Sequence, residues 1–152
     1  MVAREYFGTK SSPEILILAT DIDTQVLQKA RAGVYGGDHL AAVDPQYMKN
    51  YFVKETGENE DLYRVKDSLK EIVYFRRLNL LQDEYPMTKK FDVIFCRNVI
   101  IYFHRETQKK LFNKYYSYLK DDGYLLIGHS ENITSITNKF VLAGRTIYRK
   151  VV

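Results

Sequence analysis

Apolar residues in this chain gather into short, nearly unbroken runs, each closed by polar residues. Phe91 to Cys96 (FDVIFC) stops at Arg97-Asn98, and Ile15 to Thr20 (ILILAT) stops at Asp21-Ile22-Asp23-Thr24. Glu71 to Arg76 (EIVYFR) is followed by Leu78-Asn79-Leu80-Leu81, and Tyr124 to Gly128 (YLLIG) by His129-Ser130-Glu131-Asn132. Half-exposed strands would alternate, so these runs read as parallel strands buried on both faces. Helical spacing lies between them. Val26, Leu27 and Ala30 share a face in a helix that Asp23 or Thr24 can cap and Gly33 can end. Pro45 opens a short helix with Tyr47, Met48, Tyr51 and Phe52. The clearest period, 105–119, turns Leu111, Tyr115, Tyr118 and Leu119 inward and Lys109, Lys110 and Lys114 outward.

The remaining stretches are connections and hairpins. Residues 1–8 read as the last turns of a helix stopped by Gly8, and Ser11-Ser12-Pro13 reads as a loop. Phe52 to Lys54 and Leu62 to Val65 flank the polar loop ETGENED, which predicts an inserted antiparallel hairpin and a small β-subdomain over about 43–66. Asp67 to Leu69 forms a short turn, and Asp121-Asp122-Gly123 a turn before the next strand. KFVLAG and RTIYRK, split at Gly144-Arg145, predict a closing hairpin at the sheet edge. Strands separated by helices and finished by a hairpin describe one α/β domain over 1–152, mostly parallel with an antiparallel C-terminal edge. In such sheets ligands gather beyond the carboxyl ends of the strands. Asp21, Asn79, Arg97, Asn98 and His129 stand at those ends.

Composition narrows the partners. The 152 residues can bury a sizeable core, and 45% of them are hydrophobic, which argues against disorder. A net charge of +4, from 23 basic and 19 acidic residues, is too mild for a dedicated nucleic-acid binder and suits an acidic protein partner. Arg76, Arg77, Lys89, Lys90, Lys109 and Lys110 therefore read as a solvated basic face. The single cysteine, Cys96, sits inside an apolar strand as a small buried hydrophobe, as expected in a reducing, cytoplasmic compartment. No apolar run reaches membrane-spanning length, so no membrane insertion is expected.

The strand-end residues suggest a nucleoside-containing cofactor. A carboxylate such as Asp21 can accept hydrogen bonds from both hydroxyls of a ribose, and Asn79 can both donate to and accept from an adenine edge. His39, His104, His129 and Cys96 do not form a metal-ligand spacing, and no metal is expected. His129-Ser130-Glu131 lacks the G-x-S-x-G elbow of a hydrolase, so His129 reads as structural.

The ordered set ATDIDTQVLQKARAGVY (19–35), the YFV…YRV hairpin, LNLL (78–81), FDVIFCRNVIIYF (91–103), DGYLLIGHSEN (122–132) and FVLAGRTIYRK resembles the CheR family, the chemotaxis receptor methyltransferases. The resemblance implies a Rossmann-like methyltransferase sheet and S-adenosylmethionine-dependent O-methylation of glutamate side chains on the cytoplasmic domain of a chemotaxis receptor, with S-adenosylhomocysteine as product. It implies Asp21 on the cofactor ribose, and Asn79 and Leu80 on its adenosine part. Arg97 and Asn98 would line the cofactor and substrate end, with Tyr102 near the transferred methyl group, orienting the attacking carboxylate. The hairpin matches the family's β-subdomain, yet its loop has one glycine where receptor-tail-binding members are glycine-rich, so tail binding is not expected. The family's N-terminal helical domain, first strand and cofactor loop (resembling GCSTGEEPYS) have no counterpart here. That strand would lie between 15–20 and 91–96. The resemblance thus implies an N-terminally truncated domain, its gap closed by direct pairing of those two strands, by a homo-oligomer or by a complementing N-terminal fragment. An alternative is a non-catalytic, partner-binding remnant of the fold.

Overall fold

The computed structural model describes residues 1–7, 14–57 and 60–152. The expected stop at Gly8, the 11–13 loop and Glu58-Asn59 of the hairpin loop lie outside the described residues. The chain forms two compact units, Met1–Asn79 and Leu80–Val152.

In the first unit α1 (Val2–Phe7) precedes β1 (Ile17–Asp21) and α2 (Thr24–Ala32). These are followed by β2 (Val34–Gly36), α3 (Gly37–Leu40), α4 (Pro45–Tyr51), β3 (Phe52–Lys54), β4 (Leu62–Val65), α5 (Asp67–Lys70) and β5 (Val73–Arg77). β1 and β5 pair in parallel from Ile17↔Val73 to Asp21↔Arg77. The cap of α2 is Asp23, whose Oδ1 accepts the N–H of Gln25 at 2.7 Å and of Val26 at 3.4 Å. Gly33 ends the helix in the left-handed region, φ 63°, with its N–H on the Lys29 carbonyl. Asp23→Ala should cost about 1 kcal/mol of stability, read as a lower denaturant midpoint; an unchanged midpoint would mean the cap contributes nothing. The predicted hairpin is present as antiparallel β3 and β4, and β2 adds a third strand on the other side of β4. That third strand was hidden because Val34-Tyr35-Gly36 is too short to show a period.

The second unit holds β6 (Phe91–Cys96), a 3₁₀ turn (Ile100–Tyr102), α6 (Arg105–Tyr118), β7 (Leu119–Ile127), β8 (Phe140–Gly144) and β9 (Ile147–Lys150). Its sheet runs β6-β7-β9-β8: β6 pairs with β7 in parallel, and the β8–β9 hairpin is antiparallel as predicted. The core forms where Leu111, Phe112 and Tyr115 of α6 meet Cys96, Leu119, Leu125, Ile127, Phe140 and Tyr148. Three expectations change. Asp121-Asp122-Gly123 is a bulge within β7 rather than a turn before it, since Phe91 faces Leu119 and Val93 faces Tyr124. A Cβ at Gly123 would come within 2.9 Å of the Lys120 carbonyl, so glycine permits the bulge. β6 is not buried on both faces: among the described residues only β7 pairs with it, and Phe95 is 70% exposed. Lys114 does not face outward; its Nζ donates to the carbonyls of Leu80 (3.1 Å) and Gln82 and lies 5.1 Å from the Tyr85 ring centre.

One ion pair closes the bulge from beneath. Lys150, 6% exposed, donates to the Leu119 carbonyl and the Asp121 carboxylate, each at 3.0 Å, and stands over the Tyr116 ring. Hydrogen bonding and charge from Lys150 lower the Asp121 carboxyl below its ordinary value of 3.8. A carboxyl depressed by folding stabilises fully above its unfolded pKa, and that contribution is lost as pH falls through the folded one. Asp121→Asn should therefore flatten the acid limb of a melting-temperature profile at and below about pH 4. An acid limb identical to that of the unaltered chain would mean that the pair does not contribute.

Candidate functional site

In the first unit the carboxyl ends of β1 and β5 are tied together. The Leu78 N–H donates to the Asp21 carbonyl at 2.9 Å, and Arg77 Nε donates to the Ile22 carbonyl at 3.3 Å. Asp21 is half-buried as the last residue of β1, and exposed Asn79 follows β5 by two residues. Asp21 Oδ1 accepts the N–H of Asp23 at 2.9 Å, which shapes the turn into α2. Oδ2 has no partner among the described residues, so an acceptor remains at a strand end. Asp21 and Asn79 thus stand at the ends of one parallel pair.

The other predicted residues belong to the second unit. Leu80 is half-buried, and its carbonyl accepts both the Tyr85 hydroxyl (2.9 Å) and Lys114 Nζ, which fixes the backbone there. Arg97 and Asn98 leave the carboxyl end of β6 exposed, and Asn98 adopts φ 58°. Asparagine tolerates that left-handed geometry better than most residues, which accounts for Asn rather than a branched residue at this bend. Tyr102 closes the 3₁₀ turn and is 79% exposed, its hydroxyl unencumbered by the core. His129 is exposed.

Glu131 is a buried charged residue whose place the sequence pattern did not disclose. It is 7% exposed, and its carboxylate accepts three backbone N–H groups. Oε1 takes Ile100 at 2.9 Å; Oε2 takes Asn98 at 3.2 Å and Gly128 at 2.5 Å. The segment after β7 is thereby fastened to the segment after β6. Gly128 makes the approach possible, because a Cβ there would lie 2.6 Å from Asn98 Oδ1 and 2.8 Å from Glu131 Oε2. The available signal was a carboxylate three residues beyond a strand-closing glycine.

Beneath the loop, Cys96 is inert. The Tyr115 hydroxyl donates to its Sγ at 3.0 Å, and burial pushes the thiol up from its ordinary range, which disfavours the thiolate. Among the described residues no three His, Cys, Asp or Glu side chains gather closely enough to hold a metal ion. No helix among them is long and apolar enough to cross a membrane.

Each unit thus offers polar groups at the end of a parallel strand: the Asp21 carboxylate closing β1 in the first, and the exposed Arg97-Asn98 bend following β6 in the second. Parallel strand pairs joined through helices, with an antiparallel closing hairpin, place the chain in the Rossmann-like methyltransferase class. The family model "CheR methyltransferase, SAM binding domain" matches residues 1–149. The chain is 45% identical over 132 residues to a chemotaxis protein methyltransferase of Escherichia coli K12, covering 87% of this chain and 46% of that protein. It is 45% identical over 139 residues to one from Borreliella burgdorferi (91% and 48%). It is 38% identical over 136 residues to chemotaxis protein methyltransferase 2 of Pseudomonas aeruginosa (90% and 49%). The chain belongs to the CheR methyltransferase family. It spans about half the length of these relatives.

Proposed function

We propose that this chain takes part in transferring a methyl group from S-adenosylmethionine to glutamate side chains of a chemotaxis receptor's cytoplasmic domain. The observation that carries the reading is the family match over residues 1–149; each unit separately offers polar residues at a strand end, Asp21 closing β1 in one and Arg97-Asn98 following β6 in the other. When bound, the cofactor supplies a methyl group on a positively charged sulfur. Asp21 accepts the ribose hydroxyls, while Asn79 and the Leu80 backbone hold the adenosine part. Arg97 and Asn98 line the cofactor and substrate end. Tyr102, exposed at the end of the 3₁₀ turn, orients the substrate carboxylate. A carboxylate is already nucleophilic near neutral pH, so the residues' task is alignment rather than proton removal.

A second observation qualifies how the activity is organised. Among the described residues β1 pairs only with β5 and β6 only with β7, so each keeps an open edge of backbone donors and acceptors. We infer that the chain alone binds the cofactor weakly or not at all and that a further strand, from a second copy or a complementing N-terminal fragment, completes the site. The same open edges favour the alternative of a partner-binding, non-catalytic role.

The test is transfer of labelled methyl from S-adenosylmethionine to a receptor cytoplasmic fragment, by the chain alone and with an added N-terminal fragment of a relative. Label released as methanol by mild alkali identifies a carboxyl ester. Alkali-stable label would overturn the glutamate reading. No transfer in either mixture by the folded chain would favour the partner-binding role. Tyr102→Phe should slow transfer by about 10- to 100-fold while leaving cofactor affinity unchanged. Equal rates would remove Tyr102 from the site.

A further inference from the structure

We infer that Glu131 is the positioning residue of the cofactor site, its buried carboxylate holding the bend on which Arg97 and Asn98 are presented. This inference rests on the assignment of that bend to the cofactor. Residues 97–99 are in neither helix nor strand, so no regular backbone ladder fixes them. The N–H groups of Asn98 and Ile100 instead end on one carboxylate, which also takes the N–H of Gly128. Hydrogen bonds to a charged acceptor are about twice as strong as neutral ones, and three converge here on a side chain that water scarcely reaches. Asn98, held at φ 58°, is the least comfortable backbone of the bend, and its N–H is one of the three. Without the acceptor, that residue has reason to relax to negative φ, which would swing the Arg97 and Asn98 side chains away from where they stand.

The clamp has a defined tolerance. Glutamine at 131 keeps the shape but offers one acceptor oxygen where two are used. Aspartate is one methylene too short to reach both Ile100 and Asn98. Alanine at 128 leaves the carboxylate intact and obstructs the approach, because its Cβ would fall 2.6 Å from Asn98 Oδ1. Two different changes should therefore release the same bend, one by removing the acceptor and one by preventing closure.

The experiment uses the full chain, Glu131→Gln and Gly128→Ala, with melting temperatures recorded to establish that each is folded. Amide exchange at residues 98 and 100 is followed by NMR, together with a titration by S-adenosylhomocysteine that detects even millimolar binding. Both variants should exchange these two amides faster and bind the ligand about 10- to 100-fold more weakly. In the methyl-transfer assay the KM for S-adenosylmethionine should rise by clearly more than that for the receptor fragment, a split that general loosening would not give. If Glu131→Gln does not fold, Gly128→Ala carries the same prediction. Faster exchange with affinity within about twofold of the unaltered chain overturns the inference, as does unchanged exchange. Absence of any ligand binding by the unaltered chain, both alone and with the complementing N-terminal fragment, overturns the functional reading itself and this inference with it.

Discussion

Phe112→Ala should lower the unfolding free energy of the chain by about 3–5 kcal/mol, the largest stability effect of any substitution considered for it. The side chain is fully buried at 0% exposure, on the face of α6 that packs into the sheet. Its neighbours are themselves closed off: Leu111 at 1%, Leu119, Leu125 and Ile127 at 0%. It also meets the Tyr115 ring edge-on, with centres 6.3 Å apart and planes at 74°. Removing the ring forfeits its transfer from water, its dispersion contacts and that edge-to-face pairing, and leaves a cavity that rigid neighbours cannot fully refill. A melting temperature lower by about 10 °C is the expected reading, with Phe112→Leu losing clearly less. A melting curve unchanged by the alanine substitution would show that α6 is not the lid of this core.

That helix also shows what the sequence could and could not disclose. Its period was plain because Leu111, Tyr115 and Leu119 repeat at four-residue steps, and all three are buried. Phe112 escaped because it flanks that stripe rather than standing on it, and a core-facing stripe is wider than one row. Lys114 was placed in water by its charge alone. Its long stem lets the ammonium reach the Leu80 and Gln82 carbonyls, and no period reveals a partner more than thirty residues away. Caps were legible for a local reason: Asp23 and Gly33 satisfy orphan backbone groups of α2 within four residues of themselves. The parallel runs were identified as strands correctly, yet exposure along β6 depends on which strands flank it. An apolar run reports what a strand tolerates, not what covers it, so Val93 at 41% and Phe95 at 70% exposed could not be read from composition.

The candidate site divides along the same line. Asp21, Asn79 and Arg97-Asn98 were visible because polar residues stand at the ends of apolar strands, where α/β sheets collect ligands. Glu131 was not visible, since its importance lies in three N–H groups from two distant segments converging on it. A polar residue at a strand end leaves a trace in local pattern; one that holds another segment in place leaves it only in the fold.

Asp21→Ala should weaken S-adenosylhomocysteine binding by about 100-fold, the largest functional effect expected from one strand-end change. A hydrogen bond to a charged acceptor contributes about 1.5–3 kcal/mol, and a ribose offers two hydroxyls, so a loss near 2.8 kcal/mol corresponds to that factor. The alanine variant alone is ambiguous, because Asp21 Oδ1 also accepts the Asp23 N–H that shapes the entry to α2. Asp21→Asn separates the two roles. Its amide oxygen can keep the bond to Asp23 and preserve the turn, while the amide nitrogen replaces the remaining acceptor by a donor. If the carboxylate binds ribose, asparagine should lose nearly as much affinity as alanine while retaining the melting temperature of the unaltered chain. If asparagine binds the ligand as the unaltered chain does, Asp21 serves the turn, and the ribose acceptor must be sought elsewhere.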